Sequence, residues 1–294
     1  MRIAFSTVAC PSWTLDEVAA FCEEINLSAV ELRTFGSGAS RFACDPFLTA
    51  PEKTRHLFAK GGCDVACLAT SIGYEEPVTP PVLGDIFGGT HHSVKATQSA
   101  VHLAARLECP LVRVFAYEIP GRDSRASAIA RICERLELAV ATARNTGVRL
   151  ALENAGGFLT AAAISELLDR VNSPLLGAAY SPSIARLAGE DPLDGLNVLG
   201  DRLLNVRLKD LKAGAACVLG DGELPTRPIV ERLAQSGFEG LVTHEHDAAW
   251  ISVGPAAADT RAVLRESAER IYRWAGEASG RSERARGGRG VVRA

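Results

Sequence analysis

No apolar run in the sequence approaches the ~20 residues that a bilayer-spanning helix requires, so no membrane partner is expected. The opening residues, Met1-Arg2-Ile3-Ala4-Phe5-Ser6, do not lead into the roughly 7–15 apolar residues of a secretory leader, and a cytoplasmic protein is expected. Missing too is any CxxC pair or zinc-type spacing: Cys10, Cys22, Cys44, Cys63, Cys67, Cys109, Cys133 and Cys217 are scattered. A chain of this size without a secretory signal does not call for a disulfide framework, so the thiols read as reduced core fillers. A clustered basic face is also lacking. The net charge of -3 divides into -6 on residues 1–276 and +3 on residues 277–294, where Arg281, Arg284, Arg286, Arg289 and Arg293 outnumber Glu277 and Glu283. An acidic body argues against a nucleic-acid partner. With 47% apolar and 23% charged residues, a wholly disordered chain and a collagenous or coiled-coil rod are excluded.

What is present is a repeated alternation. Eight short apolar runs start at Ile3, Ala29, Val65, Leu111, Val148, Leu175, Leu203 and Gly240, separated by segments of helical pattern. Thr14-Leu15-Asp16-Glu17 carries the capping-box signature of a helix start. Asn26 and Gly147 stand where helix C-caps are expected, and residues 94–107 and 125–145 space their apolar positions at i, i+3 and i+4. Continuous apolar strands alternating with helices mean a parallel sheet covered on both faces. Eight such units in this length predict an α/β fold, a (β/α)8 TIM barrel, as one domain over residues 1–276. A doubly wound open sheet is the runner-up, but no GxGxxG follows the first run. Residues 277–294, rich in Gly, Ser and Arg, are expected to form a disordered tail, read as a frayed terminus with an arm for an anionic partner as the alternative.

In a barrel the chemistry sits at the C-terminal ends of the strands. Polar residues at those ends include Ser6, Glu31, Arg33, Ser71, Tyr117, Glu153, Asn154, Ser181, Arg207, Lys209, Asp210, Glu245 and His246. Glu153 and Glu245 directly follow apolar runs, where charged residues are rare unless paired. The segment from Ser71 to His92, which includes Pro77, Pro80, Pro81, Gly84, Gly88 and Gly89, reads as a lid or binding loop, or else as an insertion without function. Strand alternation places His244 and His246 on the face opposite Glu245.

Four short motifs give these ends a likeness: Leu152-Glu153-Asn154, Gly189-Glu190-Asp191-Pro192, Leu208-Lys209-Asp210-Leu211, and Glu245. From Met1 to about Ala275 the sequence resembles the xylose-isomerase-like barrels, a family of sugar and sugar-phosphate isomerases and epimerases, inosose dehydratases and 3-dehydroshikimate dehydratases. The resemblance implies a divalent metal held by Glu, Asp, His and Glu from strands five to eight. Position by position, those places hold Glu153, Ser181, Arg207 and Glu245, so two of four ligands are lost. A serine hydroxyl is a poor ligand, and a guanidinium cannot deprotonate to coordinate a cation.

The expected catalytic residues are therefore Glu153, Glu245 and Arg207, with Arg207 replacing the metal as positive centre between two carboxylates. Expected substrate contacts are Lys209, Arg113, Ser181, Tyr117, Glu31 and His246. For several of these a structural reading stands beside the functional one: Lys209 paired with Asp210, Arg113 paired with Glu153, and Glu31 as a structural carboxylate. No cofactor is expected, with a weakly held divalent ion at Glu153 and Glu245 as the alternative. The function implied is acid–base proton transfer beside a carbonyl, on a small polyhydroxylated or cyclic substrate, by an isomerase or epimerase. A dehydratase of the same fold is the alternative reading, and an inactive binding barrel is another. A small molecule is the expected partner, and a homodimer is left open.

Overall fold

The computed structural model describes residues 1–35, 42–75, 92–119, 121, 124–250 and 259–287. All eight apolar runs form strands: β1 Arg2–Ser6, β2 Ala29–Arg33, β3 Asp64–Gly73, β4 Leu111–Phe115, β5 Arg149–Glu153, β6 Leu176–Tyr180, β7 Leu203–Leu208 and β8 Leu241–His244. Each pairs in parallel with its sequence neighbours, and β8 closes on β1 through the register Arg2↔Leu241 to Phe5↔His244. The result is a closed (β/α)8 barrel. Helices α1 Leu15–Glu24, α2 Pro51–Lys60, α3 His92–Arg106, α4 Arg125–Thr142, α5 Ala161–Val171, α6 Pro182–Leu187, α7 Pro192–Leu199, α8 Thr226–Ser236 and α9 Thr260–Gly287 lie between and after the strands.

Local chemistry accounts for the helix ends. Thr14 accepts from the Glu17 backbone N–H at 3.3 Å, while the Glu17 carboxylate accepts from the Thr14 N–H at 2.7 Å, completing the capping box. Asn26 (φ 56°) takes the left-handed conformation that turns the chain out of α1, whereas α4 ends earlier than expected, with Ala143 as its C-cap, and Gly147 (φ 78°) makes its left-handed turn in the link to β5. In α4 the buried positions Ala128, Ile129, Ile132, Cys133, Leu136, Ala139 and Val140 form one stripe against the sheet.

Strand alternation divides the barrel into two shells. Phe5, Val30, Leu32, Leu68, Val112, Val114, Leu150, Leu152, Val206 and Val242 face the helices in the main apolar core. Their neighbours Ala4, Ala29, Ala66, Cys67, Leu111, Ala151, Ala179, Leu204 and Leu241 make a second cluster inside the barrel. Small residues dominate that inner cluster because eight inward side chains must share the axis. Seven of the eight cysteines are buried as free thiols and Cys217 is partly exposed, in keeping with the core-filler reading.

One expected boundary moves. Helix α9 runs through residue 277 to Gly287, so the segment read as disordered from 277 begins as helix. The reason is packing: Leu264, Ala268, Ile271, Trp274 and Ala278 continue one buried stripe. Glu277 also pairs with Arg227 of α8 at 3.0 Å. Adding residues to an existing helix needs no new nucleus. Residues 288–294 lie outside the described residues. So do 76–91 of the expected lid.

Candidate active site

Inward alternation carries polar residues from the ends of most strands to the C-terminal mouth. Ser6, Val8, Arg33, Arg113, Phe115, Glu153, Ser181, Ser183, Ile184, Arg207, Lys209 and Glu245 line one cavity of about 250 Å³ there. Glu153, Ser181, Arg207, Glu245, Arg113 and Lys209 thus meet as the sequence led one to expect. Three expected contacts do not line it. Glu31 lies fully buried beneath Arg207 and hydrogen-bonded to it. The Tyr117 ring stacks on Phe115 with centroids 4.4 Å apart, and its backbone (φ 56°) turns away over the loop after β5. That turn requires Gly156, since a Cβ there would come within 2.7 Å of the Tyr117 backbone. His246 is buried beside His244, their rings 6.0 Å apart, because its side chain follows the outward parity of His244.

The centre of the site is Arg207, which is 1% exposed. Its Nη1 bonds Glu31, Nη2 lies 3.0 Å from Glu245 Oε1, and Nε lies 3.1 Å from Glu153 Oε2. One guanidinium therefore faces three carboxylates from three strands. The planar fork of arginine presents five N–H donors and stays charged, which suits it to this place. Arg113 adds a second cation: Nη1 donates to Glu153 Oε2 at 2.9 Å and Nη2 to the Thr70 carbonyl at 2.6 Å. Both guanidiniums thus meet Oε2 of Glu153, and neither contact uses Oε1.

The two mouth carboxylates are pushed apart in acidity. Burial lifts the Glu153 carboxyl above the usual carboxylate range against the pull of Arg207 and Arg113, with the nearby charges of Glu245 and Glu31 adding to the rise. Burial opposes ionisation of Glu245 as well, but Arg207, Lys209 and Arg113 outweigh it and hold the group down at about 2. Glu31 is also held below its ordinary value, burial being overcome by Arg207 and Arg113. Arg207 is pushed further up by the three carboxylates, although burial works the other way. Such a cluster is expensive to desolvate and strongly destabilising to break at one member.

The surrounding motifs turn out to be scaffolding. Asn154 donates to the Ser181 carbonyl at 3.1 Å and accepts from the Ser181 N–H at 2.6 Å, fixing the end of β6 against that of β5. Glu190 accepts from the Tyr180 hydroxyl at 2.7 Å and from the Ala161 N–H at 2.8 Å, while Asp191 caps α7. Lys209 pairs with Asp247, not with Asp210. Asp210 instead accepts from the N–H groups of Leu211, Gly220, Gly222 and Leu224, gathering the loop after β7 around itself. A Cβ at Gly222 would come within 2.1 Å of Asp210 Oδ1, so only glycine allows that approach.

A closed parallel eight-stranded barrel with its charged cluster at the C-terminal mouth is the arrangement in which barrel enzymes place their chemistry. The sequence profile of the xylose isomerase-like TIM barrels matches residues 16–274, and the chain belongs to that family. It is 28% identical over 133 residues to an inosose dehydratase of Clostridium tetani, a stretch of 38% of this chain and 45% of that protein. The match therefore spans less than half the length of that curated relative. In fold it is similar to an L-ribulose 3-epimerase, with a TM-score of 0.80 at 14% identity over 97% of both chains. It is also similar to an IOLI protein bearing a zinc atom, at 0.75 and 13% identity over 95% of this chain and 99% of that one. A probable 3-DHS dehydratase from Bacillus anthracis follows at 0.72 and 14% identity, covering 92% and 99%. At these identities the structural likenesses speak to the fold.

Proposed function

We propose that this protein is an acid–base enzyme that moves a proton beside the carbonyl of a small polyhydroxylated or cyclic substrate. The carrying observation is the Arg207 guanidinium, buried at the mouth within reach of Glu31, Glu153 and Glu245 together. Proton transfer next to a carbonyl needs a base, an acid and a positive centre for the developing oxyanion. Two carboxyls whose surroundings push their acidities apart supply the first two. Glu245, ionised, removes the proton from the carbon beside the carbonyl. Arg207, with Lys209 beside it, stabilises the negative charge that passes to the substrate oxygen. Glu153, lifted toward its neutral form, delivers a proton. Returned to carbon or oxygen, that proton completes an isomerisation or epimerisation; given to a departing hydroxyl, it completes a dehydration. The relatives named as epimerase and dehydratase support both outcomes, and isomerisation or epimerisation is our first reading.

The donor set does not fit the divalent metal typical of the family. A permanent cation stands at the third ligand place, and the Ser181 hydroxyl at the second is 3.1 Å from the Ser183 hydroxyl. Among the described residues no three His, Cys, Asp or Glu side chains are gathered so as to hold a metal ion. Arg207 takes the electrostatic role of the metal in this reading.

The test is solvent exchange. Ketoses, aldoses, inososes and cyclic keto-acids are incubated in deuterated water, and label beside the carbonyl is followed by NMR. Wild-type protein is expected to label at least one class, and Glu153→Gln to lose the activity by about 100-fold or more, the usual worth of a positioned acid or base. Absence of exchange across the panel would leave a binding barrel instead of an enzyme.

A further inference from the structure

The charges at the mouth are unevenly shared. Three carboxylates crowd Arg207, and one of them also satisfies Arg113. Arg33, which lines the same cavity, has none: among the described residues no carboxylate lies within ion-pair distance of it. The sequence shows Arg33 only as one polar strand end among many. The structure shows that it is built in. Its backbone N–H donates to Thr7 Oγ1 at 2.8 Å, Nη1 donates to the Ala69 carbonyl at 2.8 Å and Nη2 to Ser71 Oγ at 2.6 Å. Its guanidinium also lies 4.5 Å from the Phe35 ring centroid.

Register brings a second cation beside it. Arg33 pairs across β2 and β3 with Ala69, and Ala69 pairs across β3 and β4 with Arg113. The two arginines grip consecutive carbonyls of β3, those of Ala69 and Thr70. Burial and the repulsion of Arg113 and Arg207 weaken the hold of Arg33 on its proton, to a value of about 10. Neutral hydrogen-bond acceptors take its Nη1 and Nη2 donors, and the attraction of buried Glu31 offsets only part of that repulsion. A half-buried cation beside two others is costly to maintain unless an anion arrives.

The geometry points to an anion-binding subsite at Arg33 and Arg113, which seats a carboxylate or phosphate group of the substrate while its carbonyl end lies toward Glu153 and Glu245. This deepens the proposed function and rests on that reading for the direction of the substrate, but not for the existence of the subsite. The cavity, at about 250 Å³ just below the ~300 Å³ where ligand pockets begin, suits a small anionic molecule.

Binding, which needs no turnover, provides the test. Titration calorimetry on the full chain compares D-fructose, D-fructose 6-phosphate, D-gluconate and inorganic phosphate. At least one of the two anionic sugars is expected to bind about tenfold or more tightly than D-fructose, the worth of a charge-assisted hydrogen bond. Which of them does so distinguishes a phosphate from a carboxylate head. Raising sodium chloride from 50 to 500 mM should weaken the anion and leave the neutral sugar unmoved. Arg33→Gln should bring the anion down to the neutral sugar's affinity, and Arg33→Lys, which keeps the charge, should restore part of the difference. Equal affinities, no binding by any probe, or an anion preference that survives Arg33→Gln would each overturn the subsite. Solvent exchange on neutral sugars with no anion preference would sink this inference and leave the catalytic reading standing. An anion preference without exchange would do the reverse.

Discussion

The two ends of the barrel interior are built from the same strands and could hardly differ more. Toward the N-terminal end the inward positions are Ala4, Ala29, Cys67, Leu111, Ala151, Ala179 and Leu241, an apolar plug. Two residues further along, on the same face, β1, β2, β4, β5 and β6 lead to Ser6, Glu31, Arg113, Glu153 and Ser181, all buried. Nothing in the packing asks for charge at the second level, since the first closes the axis with small apolar side chains. Ion clusters of this kind cost desolvation that apolar residues of similar volume would avoid. The plug is what the fold needs; the charged layer is what the site needs. That contrast teaches where to expect loss of stability and where to expect loss of function.

The largest effect should come from breaking the charged layer at one point. Arg207→Met strands the buried Glu31 and Glu153 and the partly exposed Glu245, and should cost about 3–5 kcal/mol in urea unfolding together with all proton exchange. In the plug, Leu111→Ala should cost about 2–3 kcal/mol, the low end for such truncations because Leu111 is 8% exposed, while the surviving folded protein keeps its exchange rate.

The pH dependence sharpens the contrast within one strand, because His244 faces the helices and Glu245 the mouth. Burial holds His244 neutral and depresses its value to about 3, with the neighbouring His246 acting in the same direction. Its folded value lies below the unfolded one, so its stabilising contribution is complete above about pH 6.5 and declines as pH falls toward 3. Between pH 6.5 and 5 the loss should reach about 2 kcal/mol, and His244→Phe should flatten that limb of the stability curve. Glu245 is depressed too, so a second loss begins below about pH 4.5 and runs down to about 2. Glu245→Gln should shrink that second limb, which the depressed Glu31 shares, and leave the first.

The smallest change in stability is expected where the charged layer is removed entirely. Replacing the whole charged set at once, with Glu31→Leu, Arg113→Met, Glu153→Leu, Arg207→Met and Glu245→Leu together, should leave stability within about 1 kcal/mol of wild type or raise it. Exchange activity should vanish. A large loss of stability would show that the charged layer holds the fold together.

Most of the architecture was legible in the chain because its signals are local. Apolar runs, the Thr14–Glu17 cap and the turns at Asn26 and Gly147 each depend on a few neighbouring residues. The identity of the mouth residues was legible too, since strand ends can be read from where apolar runs stop. Their pairings were not. Arg207 and Glu31 lie 176 residues apart and meet only because β8 closes on β1. Lys209 finds Asp247 beyond the next strand, while adjacent Asp210 is taken by four loop N–H groups. That Arg33 meets no carboxylate at ion-pair distance among the described residues was invisible for the same reason, since it is a property of three dimensions. The end of α9 was misplaced because a Gly-, Ser- and Arg-rich composition hides the contact of Ala278 with the core.

We propose that the Arg207 guanidinium, in place of a divalent ion, is the positive centre of the mouth. Elemental analysis and solvent exchange are measured on one preparation, before and after EDTA and dialysis. With Arg207 in that role, far less than one equivalent of manganese, magnesium, zinc or cobalt is expected per chain, and an exchange rate that chelation leaves unchanged. One ion per chain, with exchange lost on chelation and restored by adding the metal back, would contradict it.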